Sequence, residues 1–241
     1  MSSRRKTYRQ GHSNVWLYLV ILALLLGSTS FYYFNKQSEQ SENVSNTDGE
    51  TGENAEEEVP LLEESVAIAS FKRYFMPDGT TAYFRGTGNE FASYKEKTTW
   101  LFDHYIQTVL NNGGAIVEKI YRITATEVQL VLQQEVPEEP TTAYTEQQLN
   151  ALATIAVIWE APFEERKKMG NRQIVGIPAE ITTEYGHFTD VIIVEEVADN
   201  NINRFFYAPD YGLIRLEFYN NNDLIVTSEL ASIGKPYWEN E

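Results

Sequence analysis

The sequence predicts a mostly β fold: a curved antiparallel sheet or open half-barrel with one short helical segment, preceded by an N-terminal transmembrane helix and a disordered acidic linker. Three observations lead there. From residue 70 onward, β-branched and aromatic runs alternate with Gly, Asn, Asp and Pro turns about every 8–12 residues, the pattern of many short antiparallel strands. Residues 15–34, VWLYLVILALLLGSTSFYYF, form the one long run without a charge. Residues 35–65 are rich in Ser, Asn, Thr, Gly and Glu and carry Lys36 as their only base. The 241 residues therefore divide into a basic head (1–14), a span (15–34), a linker (35–65) and a β domain (66–241).

The span has the length that a helix rising about 1.5 Å per residue needs to cross a hydrocarbon core about 30 Å thick. Trp16 and Tyr18 lie at one end, and Phe31, Tyr32, Tyr33 and Phe34 at the other, as aromatic side chains do at two headgroup layers. Arg4, Arg5, Lys6 and Arg9 precede it without a carboxylate, which places the N-terminus in the cytoplasm and the β domain outside a cell membrane crossed once. The rival reading is a secretory signal peptide cleaved near Gly27-Ser28-Thr29-Ser30, which would release the domain. The linker holds Glu56-Glu57-Glu58 and Glu63-Glu64; low hydrophobicity and like charge keep such a segment unfolded and extended.

Net charge is −16, which argues against nucleic acid as a partner, because phosphate binding draws on clustered Lys and Arg. There is no cysteine, so disulfides, thiolate catalysis and thiolate zinc sites are excluded, and the domain depends on its core.

Within the domain, Phe71, Tyr74 and Phe75 open a β texture ahead of the turn Met76-Pro77-Asp78-Gly79, and 81–85 continue as a strand. Gly86-Thr87-Gly88-Asn89 breaks it. Residues 90–101 alternate through Phe91 and Tyr94, and 105–110 fit a strand or a short helix. Asn111-Asn112-Gly113-Gly114 is the strongest hairpin signal, because Asn-Gly and Gly-Gly supply positive φ. Strands follow at 116–123 and 127–134, the latter setting Val128, Leu130 and Leu132 against Gln129, Val131 and Gln133. Residues 144–152 read as the short helix and 155–159 as a strand. Residues 162–172 form a charged excursion, 173–177 and 180–184 two strands around Pro178, and 185–188 a turn. The last strands fall at 191–197, 204–207, 213–219 and 224–230.

No Walker loop, nucleophile elbow or HExxH helix is present. His187, three residues before Asp190 and near Thr182 and Thr183, is the one arrangement that suggests hydrolysis, but a Gly-His-Phe turn ahead of a strand accounts for the same residues. Glu195 and Glu196 point to opposite faces of a strand and so form no acid/base pair. Asp199 to Asn203 begins like a calcium loop, with Asp210 at the twelfth place, but Arg204 replaces the required glycine and a hairpin turn fits better. The sequence thus singles out no catalytic residue, metal ligand or cofactor and leaves the ligand-binding residues unknown. Phe75, Tyr83, Phe91, Tyr94, Trp100, Trp159, Phe205 and Tyr207 fill a core or line a groove.

The second half carries an ordered set of motifs. These are Trp159-Glu160-Ala161-Pro162, a charged stretch to Lys168, Ile174-Val175-Gly176, Glu180-Ile181-Thr182-Thr183, Tyr185-Gly186-His187-Phe188, Thr189-Asp190-Val191-Ile192, and Phe206 onward to Ile214. The order resembles the bacterial envelope proteins with a TapB-like or LolA-like open β half-barrel, with Arg215 where that pattern has lysine. The resemblance spans 159–230; residues 71–134 share only a richness in β. It implies a curved antiparallel sheet with a covering segment, sometimes around an apolar groove, in anchored or secreted binding or assembly proteins. No ligand carries over from it.

The expectation is a single-pass, non-catalytic cell-surface module that binds an apolar ligand, such as a lipid, or an envelope protein. A purely structural envelope protein is the alternative, and a hydrolase using His187 stands behind both. Mass spectrometry of the membrane fraction should detect intact peptides from Met1–Arg9; a new N-terminus near Phe31 would show cleavage instead.

Overall fold

The computed structural model describes residues 68–140 and 143–236. The span expected at 15–34 and the linker expected at 35–65 lie outside them. Among the described residues no helix is long and apolar enough to cross a membrane. Twelve strands are present there: β1 (Thr81–Thr87), β2 (Tyr94–Leu101), β3 (Tyr105–Asn111), β4 (Ile116–Ile123), β5 (Glu127–Val136), β6 (Ala156–Glu160), β7 (Lys168–Met169), β8 (Arg172–Thr182), β9 (His187–Ala198), β10 (Asn201–Ala208), β11 (Gly212–Asn220) and β12 (Asp223–Ile233).

Apart from β6 and β7, each strand pairs antiparallel with its neighbours in sequence, and β1 pairs with β12, so the sheet runs β6 to β1 and then β12 to β7. The two ends of that order, β6 and β7, are consecutive in the chain and meet without a ladder. Lys167 Nζ lies 3.2 Å from Glu160 Oε1 there, and Met169 joins Ile158 and Trp159 in one cluster. The result is a nearly closed up-and-down barrel with a seam at β6 and β7, where the sequence suggested an open half-barrel. Closure rests on β1 meeting β12, a contact between strands far apart in sequence that local patterning cannot reveal.

Turn chemistry explains the meander. Asn112 Oδ1 accepts from the backbone N–H groups of Gly114 and Ala115 at 3.0 and 2.8 Å, and Gly113 has φ of 82°, so the β3–β4 hairpin forms where Asn-Gly allows it. Asn221 and Asn222 take positive φ between β11 and β12. The two strands expected around Pro178 are the single β8. Beyond Gln173 this strand pairs only with β9 and shifts register repeatedly, an edge where a missing N–H is tolerated. With Asp190 at φ of 55°, the β8–β9 hairpin bends and its tip reaches β1 and β12: the Tyr185 N–H donates to Leu230 O at 3.1 Å, and Arg85 pairs with Glu184 at 3.0 Å.

Among the described residues two short helices accompany the barrel. Residues 68–72 are helical where β texture was expected, because Phe71, Tyr74 and Phe75 follow an i, i+3, i+4 spacing. Helix Glu146–Asn150 lies within the segment expected to be helical, and its capping box joins Thr145 and Gln148. Leu149 is fully buried and packs with Tyr105, Ile120 and Val131 on the outside of β3–β5. Tyr105 Oη donates to Asn150 Oδ1 at 2.7 Å. Beside it the buried Glu118 accepts from Gln107 at 2.6 Å, Gln134 at 2.7 Å and Tyr144 at 2.9 Å, so its charge is satisfied at the outer surface. Burial and that carboxylate push the Tyr144 phenol up to about 12.

The lead-in segment, 68–80, crosses one end of the barrel as a plug. The Trp100 indole donates to Met76 O at 3.0 Å, the Trp100 N–H to Asp78 Oδ1 at 2.7 Å, and the Gly79 N–H to Thr98 O at 3.0 Å. The Asp210 N–H donates to Arg73 O. Phe75 and Tyr74 reach the Trp159 ring at 5.4 and 5.8 Å, and Tyr207 meets its face edge-on at 4.6 Å.

Trp159 is 2% exposed and touches both plug and walls, so Trp159→Ala should destabilise the fold by about 3–5 kcal/mol in urea denaturation. Gly86→Ala would set its Cβ 2.0 Å from the Ala92 carbonyl carbon, and should cost at least about 1 kcal/mol by forcing the β1–β2 loop outward. A neutral outcome at either position would mean that this packing is looser than the geometry implies.

Candidate functional site

The side chains that point inward from the strands decide what the barrel can hold. On β2, alternation turns Tyr94, Glu96, Thr98 and Trp100 to the lumen. Pairing aligns Thr98 with Thr108 on β3, Thr108 with Lys119 on β4, and Lys119 with Gln133 on β5, so a polar row crosses one wall. Val131 is an extra residue on β5, because Ile120 faces Leu132 while Tyr121 faces Leu130. This bulge reverses the expected faces: Leu132 packs outward near Leu149, and Gln133 turns inward. The other wall brings Arg172 of β8 opposite Glu196 of β9, with Phe205 and Tyr207 beside them on β10.

Between the walls and above the plug lies a partly open cavity of about 140 Å³. Its apolar lining comes from Phe75, Met76, Leu130, Ile158 and Leu216. Tyr94, Tyr121 and Tyr207 line it together with the four charged residues Glu96, Lys119, Arg172 and Glu196. Of the aromatic residues singled out in the sequence, Phe75, Tyr94, Trp159, Phe205 and Tyr207 line this space. Trp100 lies under Lys72 at 4.9 Å and anchors the plug. Tyr83 and Phe91 are partly buried and are not part of the lining.

The four charges are not equally satisfied. Arg172 Nη2 meets Glu196 Oε2 at 2.5 Å, and the guanidinium lies 5.4 Å from the centre of the Phe205 ring. Glu96 and Lys119 do not pair directly, and among the described residues neither side chain has a hydrogen-bonding partner within the protein. Both are half-buried, their remaining surface facing the cavity. Burial raises the Glu96 carboxyl above the usual range, opposed by Lys119; burial lowers the Lys119 ammonium, opposed by Glu96. The Tyr94, Tyr121 and Tyr207 phenols are raised, chiefly by burial, and stay protonated as donors. Lys119 and Tyr207 both feel Arg172 and Glu196, so the two walls are in electrostatic reach of each other.

His187 lies elsewhere, at the exposed start of β9. Its Nδ1 shares a hydrogen bond with Thr182 Oγ1 at 3.1 Å, and Nε2 is 3.8 Å from a Glu180 oxygen. Asp190 is met by Thr189 Oγ1 at 3.4 Å instead, so the structure does not join His187 to Asp190. Glu195 and Glu196 point to opposite faces, Glu195 outward to Arg204 at 2.5 Å. Asp199 and Asn200 form the β9–β10 turn, and Asp210 pairs with Arg73 at 3.3 Å in a different turn. Among the described residues no group of three or more His, Asp or Glu side chains could hold a metal ion.

No family model and no curated protein matches the chain. Among solved structures, it is similar to a Bacteroides fragilis protein provisionally described as exported and as having a YmcC-like fold. That match has 13% identity and a TM-score of 0.40, covering 67% of this chain and 98% of the other. A Parabacteroides distasonis protein provisionally described as a lipoprotein matches at 17% identity and a TM-score of 0.38, over 66% of this chain and 97% of the other. Neither description mentions the TapB-like or LolA-like proteins that residues 159–230 resemble.

Charges kept inside a barrel oppose folding unless something compensates them. The raised Glu96 value means that the folded state holds its proton to higher pH than the unfolded chain. Stability therefore falls as pH rises through that window, and the cost is fully present above it. The lowered Lys119 value acts with opposite sign: stability rises as pH rises from its folded value towards the ordinary lysine range. The double variant Glu96→Gln/Lys119→Met should accordingly be about 1 kcal/mol or more stabler than the parent in thermal unfolding at pH 7. The Glu96 share of that gain should fade as pH drops towards the ordinary carboxylate range. A loss of stability would show that the two charges hold the barrel together.

Proposed function

We propose that this chain is a membrane-anchored binding protein of the bacterial envelope, and that the barrel interior is its binding site. The observation that carries the reading is the partly open cavity of about 140 Å³, into which Glu96 and Lys119 project with no hydrogen-bonding partner among the described residues. A barrel built only as a structural element gains nothing from turning two ionisable groups into its interior, since apolar side chains there would stabilise it more. The location rests on the uncharged run at 15–34 behind a basic head, and the reach on the acidic residues 35–65. The mixed lining shifts the expected ligand from a wholly apolar one to a small molecule with an apolar body and polar ends. A filled, purely structural barrel is the competing reading, favoured by how much of the lumen the plug and the aromatic side chains occupy.

The full chain, extracted in detergent from its native envelope and examined by native mass spectrometry, should carry a small-molecule adduct. The adduct should be lost in the cavity-filling variants Ala156→Phe and Leu216→Phe. Repeated recovery of the bare protein would favour the structural reading.

A further inference from the structure

The lining of the cavity also specifies the chemistry of what enters it. This step rests on the reading of the lumen as a binding site. Glu96 and Glu196 contribute two negative charges, and Lys119 and Arg172 two positive ones, so the site is charged at four points and neutral in sum. A neutral lining offers no net field to an anion or a cation, and each would meet one pair of like charges. A wholly apolar molecule would strip water from Glu96 and Lys119 and return no hydrogen bond. Arg172 and Glu196 already satisfy each other at 2.5 Å, which leaves Glu96 and Lys119 as the two charged groups of the lining with no hydrogen-bonded partner among the described residues. They stand on β2 and β4, with Thr108 and Leu110 of β3 between them, so one molecule must present opposite charges on one side to meet both. Apart from Thr98, Thr108, Gln133 and Asn171, the rest of the lining is aromatic and aliphatic, with Tyr94, Tyr121, Tyr207, Phe75 and Leu216 among it. Tyrosine faces suit an ammonium as well as an apolar chain. The cavity, about 140 Å³, is close to the roughly 150 Å³ that admits a benzene-sized guest, so the body is one small ring or a short branched chain.

We propose that the barrel binds a small zwitterion, a compact apolar body bearing both an ammonium and a carboxylate, as in a free α-amino acid, with Glu96 receiving the ammonium and Lys119 the carboxylate. Binding supplies each of the two groups with the charged hydrogen-bonding partner that the strand side chains do not. The selection is for the pair of charges held together: either one alone leaves one protein group buried and unanswered.

Isothermal titration of the detergent-solubilised full chain tests this with L-alanine, L-leucine and L-phenylalanine, and with two molecules that keep the leucine body but lose one charge, 4-methylpentanoate and 3-methylbutylamine. At least one amino acid should saturate a single site, and where that is leucine each half-ligand should bind about tenfold or more weakly. Glu96→Gln and Lys119→Met should each weaken amino-acid binding by a similar factor while keeping the near-ultraviolet circular dichroism of the parent. The proposal is overturned if none of the amino acids binds, if a half-ligand binds as tightly as leucine, or if both variants bind normally. The two readings separate cleanly. An endogenous adduct excluded by Ala156→Phe, together with no amino-acid binding, removes the zwitterion and keeps the binding site. No adduct and no binding of any probe removes both.

Discussion

Closing twelve strands into a ring creates a lumen too wide for strand side chains alone to fill, and most of this structure answers that constraint. An eight-stranded barrel leaves an interior that side chains fill or that holds one small ligand, and larger barrels leave channels. Here the chain supplies its own filling. The lead-in segment lays Phe71, Phe75 and Met76 across one end, and the aromatic contacts around Trp159 tie that segment to both walls. The ring is completed by side-chain packing and one ion pair at the β6–β7 seam, where a short β7 cannot extend the ladder. What the plug does not occupy remains as the cavity.

The two faces of the barrel treat charge differently. Outside, Arg204 lies between Glu195 at 2.5 Å and Glu217 at 3.7 Å, and Arg215 between Glu217 at 2.7 Å and Glu229 at 3.7 Å, so opposite charges alternate across β9 to β12. Glu118 is buried beneath the 143–152 segment but receives three donors. Inside, Arg172 and Glu196 follow the same rule, whereas Glu96 and Lys119 do not. A barrel that pairs the charges just named and leaves these two facing the cavity without a hydrogen bond carries local disagreement between stability and placement, and such disagreement concentrates where a protein acts.

Much of the fold was legible because its signals are local. Asn112 and Gly113 specify their hairpin through one side chain and one dihedral angle, and Thr145 with Gln148 specifies the helix start. The strand runs fell in place because β-branched and aromatic residues cluster between turns. The helical turn at 68–72 was hidden by its aromatic content, although the spacing of Phe71, Tyr74 and Phe75 carried the correct period. The inward face of β5 could not be read through: one extra residue at Val131 exchanges the roles of Leu132 and Gln133, and alternation contains no record of a bulge. The site was missed for a related reason. Glu96 sits between Lys95 and Lys97 in a stretch that looks like a solvated strand, and only the register across β2, β3 and β4 brings it near Lys119. Closure through β1 and β12 likewise joins opposite ends of the domain.

The plug has a mechanical consequence. The residues that form the floor of the cavity are the ones that follow directly on the segment leading from the N-terminus. Tension applied to the chain ahead of residue 68 is delivered first to the plug, which Lys72, Met76 and Asp78 hold to the wall at Trp100 and Arg73 holds to the turn at Asp210. The plug is held by aromatic contacts and single hydrogen bonds and ion pairs, whereas every strand junction from β6 round to β7 is a ladder. A pull along the chain would therefore draw the floor before it parted the walls, so the volume of the lumen and the load on the chain ahead of residue 68 depend on one and the same segment.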